Sequence, residues 1–303
     1  MIYDLGTAVT VATVALEPWD IIGVPIFIAV SGFFYRRRSH DTASFWKKKG
    51  ITIVMPWLVA GALRNLVDVF IYHKGETFLY CIQRMLGFTS SFYFPFLLIL
   101  LFAVFKLVGN RPVLLWVSIA VNVVSLILEE LGLNYVSILL GTPSLNVFNW
   151  AGFFALGMLA RRYRWDRKLI QSPAAGWISV AAFAVLYCLT AYGSFKQGEN
   201  TYYRMDAAIF ELSALLALYV LSYKLASRRQ RVLCEIGSCT YCVYLYHLVL
   251  IVSLFSLLNF PSALTVFKPI LGLAIMMGLI EAGKWFCKLL KIKWPMTLVG
   301  LKG

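Results

Sequence analysis

The 303-residue chain has little charge: Asp, Glu, Lys and Arg make up 14% of it, whereas apolar residues make up 60%. Soluble domains carry roughly 25% charged residues, because a water-facing surface needs them. This shortage excludes an ordinary soluble domain, and the mean hydropathy of +0.77 indicates an integral membrane protein. The apolar runs are continuous over about 20 residues rather than alternating over about ten, which predicts transmembrane helices rather than a barrel.

The sequence also lacks the usual marks of several kinds of site. It has no glycine-rich phosphate loop, no His, Cys and Asp spacing suited to a metal, and no Ser, His and Asp in a hydrolase order. We therefore expect no metal and no bound cofactor. The net charge of +14 does not indicate a nucleic-acid partner, because the cations lie in short connections between apolar runs.

Nine apolar runs predict an all-α, polytopic transmembrane bundle that forms one domain over residues 1–303. The predicted spans are residues 21–35, 51–72, 92–108, 112–130, 147–161, 174–193, 206–224, 236–258 and 264–286. The segment 76–90 is predicted to be an interfacial helix, and residues 36–49 a cationic loop.

The lysines and arginines predict the orientation of these spans. Of the 28 cations, 22 lie on one set of connections and the C-terminal tail, five lie on the opposite set, and Arg64 lies inside a span. Because cytoplasmic loops are enriched in Lys and Arg, we predict a cytoplasmic 36–49 loop and a cytoplasmic C-terminus in a bacterial-type inner membrane. The run 21–35 then starts outside, and the stretch Leu5 to Leu16 is too short to precede it as a span. We therefore expect the first helix to begin upstream of Met1.

Four short motifs follow one another along the chain. They are VPIF at 24–27 with SGF at 31–33, FWKKKGITIVMPW at 45–57, WAGFFALGM at 150–158, and YCVYLYH at 241–247. In this order they resemble the family-3 membrane acyltransferases, which transfer acyl groups to sugars of surface polysaccharides, lipopolysaccharide or peptidoglycan. The resemblance implies ten spans and a first helix that carries a catalytic histidine. The three histidines of this chain are His40, His73 and His247, and none precedes Val24.

The resemblance also implies an activity and its partners. We expect a membrane O-acyltransferase that moves an acetyl or other short acyl group from cytoplasmic acyl-CoA to a hydroxyl of a surface glycan or its lipid-linked precursor. Its partners would be acyl-CoA, the glycan and the lipid bilayer. Two alternatives stay open: a transporter or flippase of glycan precursors, and a truncated, inactive homologue.

His247 is the candidate catalytic residue. It lies eleven residues into the predicted span 236–258, about 16 Å along a helix and so near the membrane midplane. An ionisable group at that depth is costly and indicates a function. Three roles stay open: proton acceptor, substrate positioning, or a hydrogen bond to a neighbouring helix that is only structural.

Other polar residues inside predicted spans are candidates for an acceptor cleft: Arg64, Asp68, Glu211, Tyr241 and Tyr244. Arg64 and Asp68 are spaced i,i+4 and can pair, so a structural ion pair is the alternative for them. Glu281 and Lys284 are predicted to form a structural pair, whereas Glu211 has no partner on its own helix.

The cationic segment 36–49 is the candidate donor site. Arginine and lysine are suited to bind the phosphates of acyl-CoA, and the residues predicted to do so are Arg36, Arg37, Arg38, Lys48 and Lys49. The alternative is orientation of the chain together with attraction to anionic lipid, which is worth about 1 kcal/mol per cation.

Overall fold

The computed structural model describes residues 16, 18–35, 42–88, 92–197, 203–226, 231–258, 267–292 and 294–301. Every regular element within these residues is helical. In chain order the first helices are α1 (Pro18–Phe34), α2 (Thr42–Phe70), α3 (Phe78–Met85), α4 (Tyr93–Val108), α5 (Pro112–Glu130), α6 (Tyr135–Leu140) and α7 (Phe148–Tyr163). They are followed by α8 (Trp165–Gln171), α9 (Pro173–Gln197), α10 (Met205–Ala226), α11 (Arg231–Tyr246, His247–Val252 and Ser253–Leu257), α12 (Lys268–Leu289) and α13 (Trp294–Leu298).

The chain divides into two compact units. Unit 1 consists of Met1–Arg37 and Leu100–Arg229, and unit 2 consists of Arg38–Ile99 and Gln230–Gly303. Each of the nine predicted spans coincides with a helix, and the predicted interfacial segment contains α3.

In unit 1, α7 packs along both α1 and α5. Ten of its 16 residues are buried, and its approach to α1 leaves no room for side chains at two positions. A Cβ on Gly157 would lie 1.9 Å from the carbonyl oxygen of Ala29, and a Cβ on Gly32 would lie 2.1 Å from that of Phe154. The SGF and WAGFFALGM motifs thus supply the glycines that let the backbones of α1 and α7 touch.

In unit 2, the predicted 36–49 loop is wrong for residues 42–49, which belong to α2. The residues from Thr42 to Lys49, predicted as part of the 36–49 loop, are helical and continue into the span, so that one helix of 29 residues reaches Phe70. A π-turn over Gly50–Val54 interrupts α2, and in it the Met55 amide donates to the Gly50 carbonyl. Because Pro56 has no amide hydrogen and crowds the preceding turn, this wider turn accommodates the proline without ending the helix.

Fewer helices than the nine predicted have the length and composition of a membrane span. Within the described residues, six helices are long and apolar enough to cross a membrane: α2, α5, α9, α10, α11 and α12. The helices α1 and α4 are apolar but have 17 and 16 residues, and α7 has 16. A helix of 16 residues is about 24 Å long, less than the ~30 Å hydrocarbon core. The prediction of nine full spans is therefore not confirmed.

Candidate functional site

A buried ion-pair cluster lies at the C-terminal part of α2. Asp68 is fully buried, and its carboxylate lies 3.1 Å from Arg64 Nε, 2.7 Å from Arg84 Nη1 and 3.3 Å from Lys74 Nζ. The predicted pair of Arg64 and Asp68 is confirmed, but as part of a larger set. Glu76 adds a second carboxylate, 2.8 Å from Arg84 Nη2, which leaves this cluster with one positive charge in excess.

Sequence analysis missed three members of this cluster: Lys74, Glu76 and Arg84. Arg84 is buried on α3, and its Nε and Nη2 donate to Asn65 Oδ1 at 2.9 and 2.6 Å. Asn65 in turn donates to the Cys81 carbonyl at 2.9 Å, so that α3 is held against α2. A lone arginine in a short helix carries no sequence signal for such a role, because its partners lie on other elements.

His247 opens the second π-turn of unit 2, His247–Val252 in α11. Its Nδ1 lies 2.6 Å from the Tyr244 carbonyl oxygen and 3.2 Å from that of Val243. A carbonyl oxygen only accepts, so Nδ1 carries the hydrogen, and Nε2 of the neutral ring is left as an acceptor. Both partners belong to α11, whereas the predicted structural role placed the partner on a neighbouring helix.

Arg64 links the buried cluster to the π-turn of His247. Its Nη1 donates to the carbonyl oxygen of Leu248 at 3.0 Å, and Leu248 directly follows His247 in the chain. The ring of Tyr244 lies 6.1 Å from the imidazole, centroid to centroid. The structure therefore brings together four of the predicted site residues, and it places them at a π-turn, an element frequent at functional sites.

The side chain of Tyr241 forms its hydrogen bond with α2, not at the π-turn of His247. Its hydroxyl donates to the Ile53 carbonyl at 2.8 Å, which belongs to the π-turn of α2. Each π-turn of unit 2 thus has a carbonyl that accepts a hydrogen bond from a side chain of the other helix, at Ile53 in α2 and at Leu248 in α11. This exchange ties α2 to α11.

Glu211 belongs to unit 1, whereas the other four predicted cleft residues belong to unit 2. Its side chain is 1% exposed on α10, and among the described residues neither carboxyl oxygen has a hydrogen-bond partner. The predicted pair of Glu281 and Lys284 on α12 is confirmed as an ion pair.

Two lysines of the predicted donor site are described. Lys48 is exposed, and Lys49 is half-buried with its Nζ 5.7 Å from the centre of the Phe45 ring. Arg36, Arg37 and Arg38 lie outside the described residues.

Comparison with known families finds one that matches nearly the whole chain. The family profile, described as an acyltransferase domain, matches residues 2–287. No curated protein and no solved structure matches the chain.

Proposed function

Because the chain belongs to the acyltransferase 3 family, we propose that it transfers an acetyl or other short acyl group from cytoplasmic acyl-CoA to a hydroxyl of a surface glycan or its lipid-linked precursor. The observation that supports this proposal best is the fixed tautomer of His247. Its Nδ1 is engaged by the Tyr244 carbonyl, which leaves Nε2 as an acceptor.

In the proposed reaction, His247 Nε2 accepts the proton of the acceptor hydroxyl as that oxygen attacks the thioester carbonyl. The new C–O bond forms, the C–S bond to coenzyme A breaks, and the proton passes from Nε2 to the leaving thiolate. The Tyr244 carbonyl stabilises the imidazolium formed in between, because it accepts from Nδ1 in both charge states.

Arg64 is the proposed stabiliser of the oxyanion. Its Nε and Nη1 are engaged by Asp68 and by the Leu248 carbonyl, which fixes the plane of the guanidinium beside the turn of His247. A guanidinium has five N–H donors, so donors remain for a developing negative charge. Asp68 positions Arg64, and the Tyr244 ring lies beside the imidazole of His247.

The donor phosphates are proposed to bind Lys48, Lys49 and the arginines at 36–38. Lys49 lies fifteen residues before Arg64 on α2, about 22 Å along the helix axis. Phosphate binding and acyl transfer therefore occur at different depths, and the extended arm of the coenzyme bridges the two.

The test is incorporation of label from radioactive acetyl-CoA into glycan by membranes that contain the full chain. His247→Gln retains a hydrogen-bonding group but cannot accept and release a proton near neutral pH. We expect it to lose transfer as completely as His247→Ala, by at least about 100-fold. In the same assay, Lys48→Glu with Lys49→Glu should raise the KM for acetyl-CoA more than it lowers kcat, because phosphate binding is uniform binding.

The matched control is His73→Gln, which alters an exposed histidine of the same unit and should leave transfer unchanged. If His247→Gln keeps most of the activity, His247 positions a substrate and is not the base. Movement of glycan precursors across the membrane without incorporation of label would instead favour a flippase.

A further inference from the structure

In unit 1, the connection between α5 and α7 is apolar outside and polar inside. Every residue of α6 other than Ser137 is exposed, and all of these residues are apolar or aromatic; Tyr135 is 78% and Leu139 is 87% exposed. The buried side chains are polar, namely Asn134 directly before α6 and Ser137 within it. Water favours the opposite arrangement, because apolar surface gains by burial and polar groups lose by it. The outer side of this connection is therefore suited to an apolar environment.

Hydrogen bonds to α5 and to the segment before α7 fix this arrangement. Asn134 Nδ2 donates to the carbonyl oxygen of Ser125 at 3.1 Å and to its Oγ at 3.0 Å. Ser137 Oγ donates to the Glu129 carboxylate and accepts from Asn146 Nδ2 at 2.9 Å. Because networks of satisfied buried polar groups are rigid, these bonds hold the apolar side chains of α6 on the outside.

The same bonds place α6 beside the last turns of α5. With 19 residues, α5 is about 28 Å long, which is close to the ~30 Å hydrocarbon core. Ser125, the partner of Asn134, lies about 8 Å before the end of α5. The chain therefore folds back along α5 after Leu131, at the depth where that helix is still within or at the edge of the membrane.

The exposed apolar surface of α6 continues an exposed apolar stripe of α5, a helix long and apolar enough to cross a membrane. Members of this stripe are three or four residues apart, as on one face of a helix. They are Val113, Val117, Val121, Val124, Ile127 and Leu131. The sequence has no charged residue from Leu131 to Ala160, and charges are the groups that are costly in hydrocarbon. The connection thus has the composition of the membrane-facing surface that it adjoins.

We propose that α6 is inserted into the hydrocarbon of the bilayer beside the end of α5, where its exposed side chains contact the acyl chains of phospholipids. Hydrogen bonds at both ends of α6 suit this place, because backbone groups in lipid need partners within the protein. Asn134 Oδ1 accepts from the Ser137 amide, and the Gly141 amide donates to the Ile138 carbonyl. The sequence predicted only that residues 131–146 connect two spans, and the inference is independent of acyl transfer.

The test uses the full chain, with its six native cysteines replaced, in bilayers of phosphatidylcholine and phosphatidylglycerol. Leu139→Cys is labelled with the fluorophore bimane. Its loss of emission is measured with two quenchers: phosphatidylcholine that carries a nitroxide on its acyl chain, and iodide in the water. We expect a larger loss with the nitroxide lipid than with iodide. Tyr135→Cys, at the other strongly exposed position, repeats the measurement if Leu139→Cys does not fold.

Two labelled variants calibrate the ratio of nitroxide quenching to iodide quenching. Ile127→Cys lies on the apolar stripe of α5 and gives the ratio for lipid contact, whereas Gly75→Cys lies in the exposed connection after α2 and gives the ratio for water. A ratio at α6 closer to that of Ile127→Cys supports the proposal. A ratio closer to that of Gly75→Cys would show that α6 faces water, and protection from both quenchers would show that protein covers it. Either of these results would overturn the proposal, and neither would bear on acyl transfer.

Discussion

Asp68 is a buried charge. We expect its removal to lower the free energy of unfolding by more than its ion pairs contribute to it. Its carboxylate has no exposure and contacts three cations. Replacement of a buried ion pair by apolar residues is often neutral, but removal of one partner leaves a buried charge uncompensated. Here the removal would leave Arg64 and Arg84, which are largely buried, with less opposing charge. We predict that Asp68→Asn lowers the free energy of unfolding by about 3–5 kcal/mol, measured by denaturant unfolding in detergent.

Glu281→Gln is the comparison for Asp68→Asn. It breaks an ion pair whose side chains are 58% and 34% exposed, and exposed pairs contribute only about 0–1 kcal/mol. Equal stabilities of the two variants would show that the Asp68 cluster is not the anchor of α2 and α3.

The contacts of Asp68 show which ion pairs can be predicted from residue spacing and which cannot. The pairing of Arg64 with Asp68 follows from an i,i+4 spacing within one helix, and it was predicted. Arg84 and Lys74 reach Asp68 only because the connection 71–77 returns α3 to the end of α2. No spacing within the sequence encodes that return.

At the scale of elements, the closest contact in unit 1 is that between α1 and α7. Gly157→Ala would place a Cβ 1.9 Å from a backbone oxygen of α1, so the two helices must move apart. We predict that this substitution lowers the free energy of unfolding by about 1–3 kcal/mol. Gly193→Ala is the matched change in α9, where nothing lies within 4 Å, and it should leave stability unchanged or raise it by up to about 1 kcal/mol. Thermal unfolding of both variants measures this difference in stability. If Gly157→Ala is as stable as Gly193→Ala, the close contact between α1 and α7 is contradicted.

Helix positions were largely predictable, because long apolar runs allow few alternatives to helices in a membrane. Two features of the helices were not predicted from the sequence. The three lysines at 47–49 indicated a loop, yet α2 includes them, since a helix can extend past the membrane and carry charge there. The π-turns at 50–54 and 247–252 have no hydrophobic periodicity that distinguishes them from the α-helix around them, so the sequence does not predict them. These turns contain the carbonyl groups that accept hydrogen bonds from Tyr241 and Arg64.

The whole molecule is expected to have one cationic and one less charged side. From Lys49 to Phe70, α2 rises about 31 Å, which matches the ~30 Å hydrocarbon core. Its lysines then lie at one membrane surface, and Lys74 with Glu76 lies near the opposite one. From the 22-to-5 division of cations, we expect the side that carries the lysines to face the cytoplasm.

We therefore predict that cysteines introduced at Ser39 and Lys302, in a chain whose six native cysteines are replaced, react with a membrane-impermeant maleimide only after cells are permeabilised. Gly75→Cys, in the exposed connection after α2, is the control and should react in intact cells. The charge rule acts on short loops near the ends of spans. In the sequence, Ser39 directly follows Arg36, Arg37 and Arg38, and Lys302 belongs to the lysine-containing C-terminal tail. Reaction of a cysteine at position 39 or 302 in intact cells would contradict the predicted orientation. It would also contradict the proposed entry of acyl-CoA from the cytoplasm.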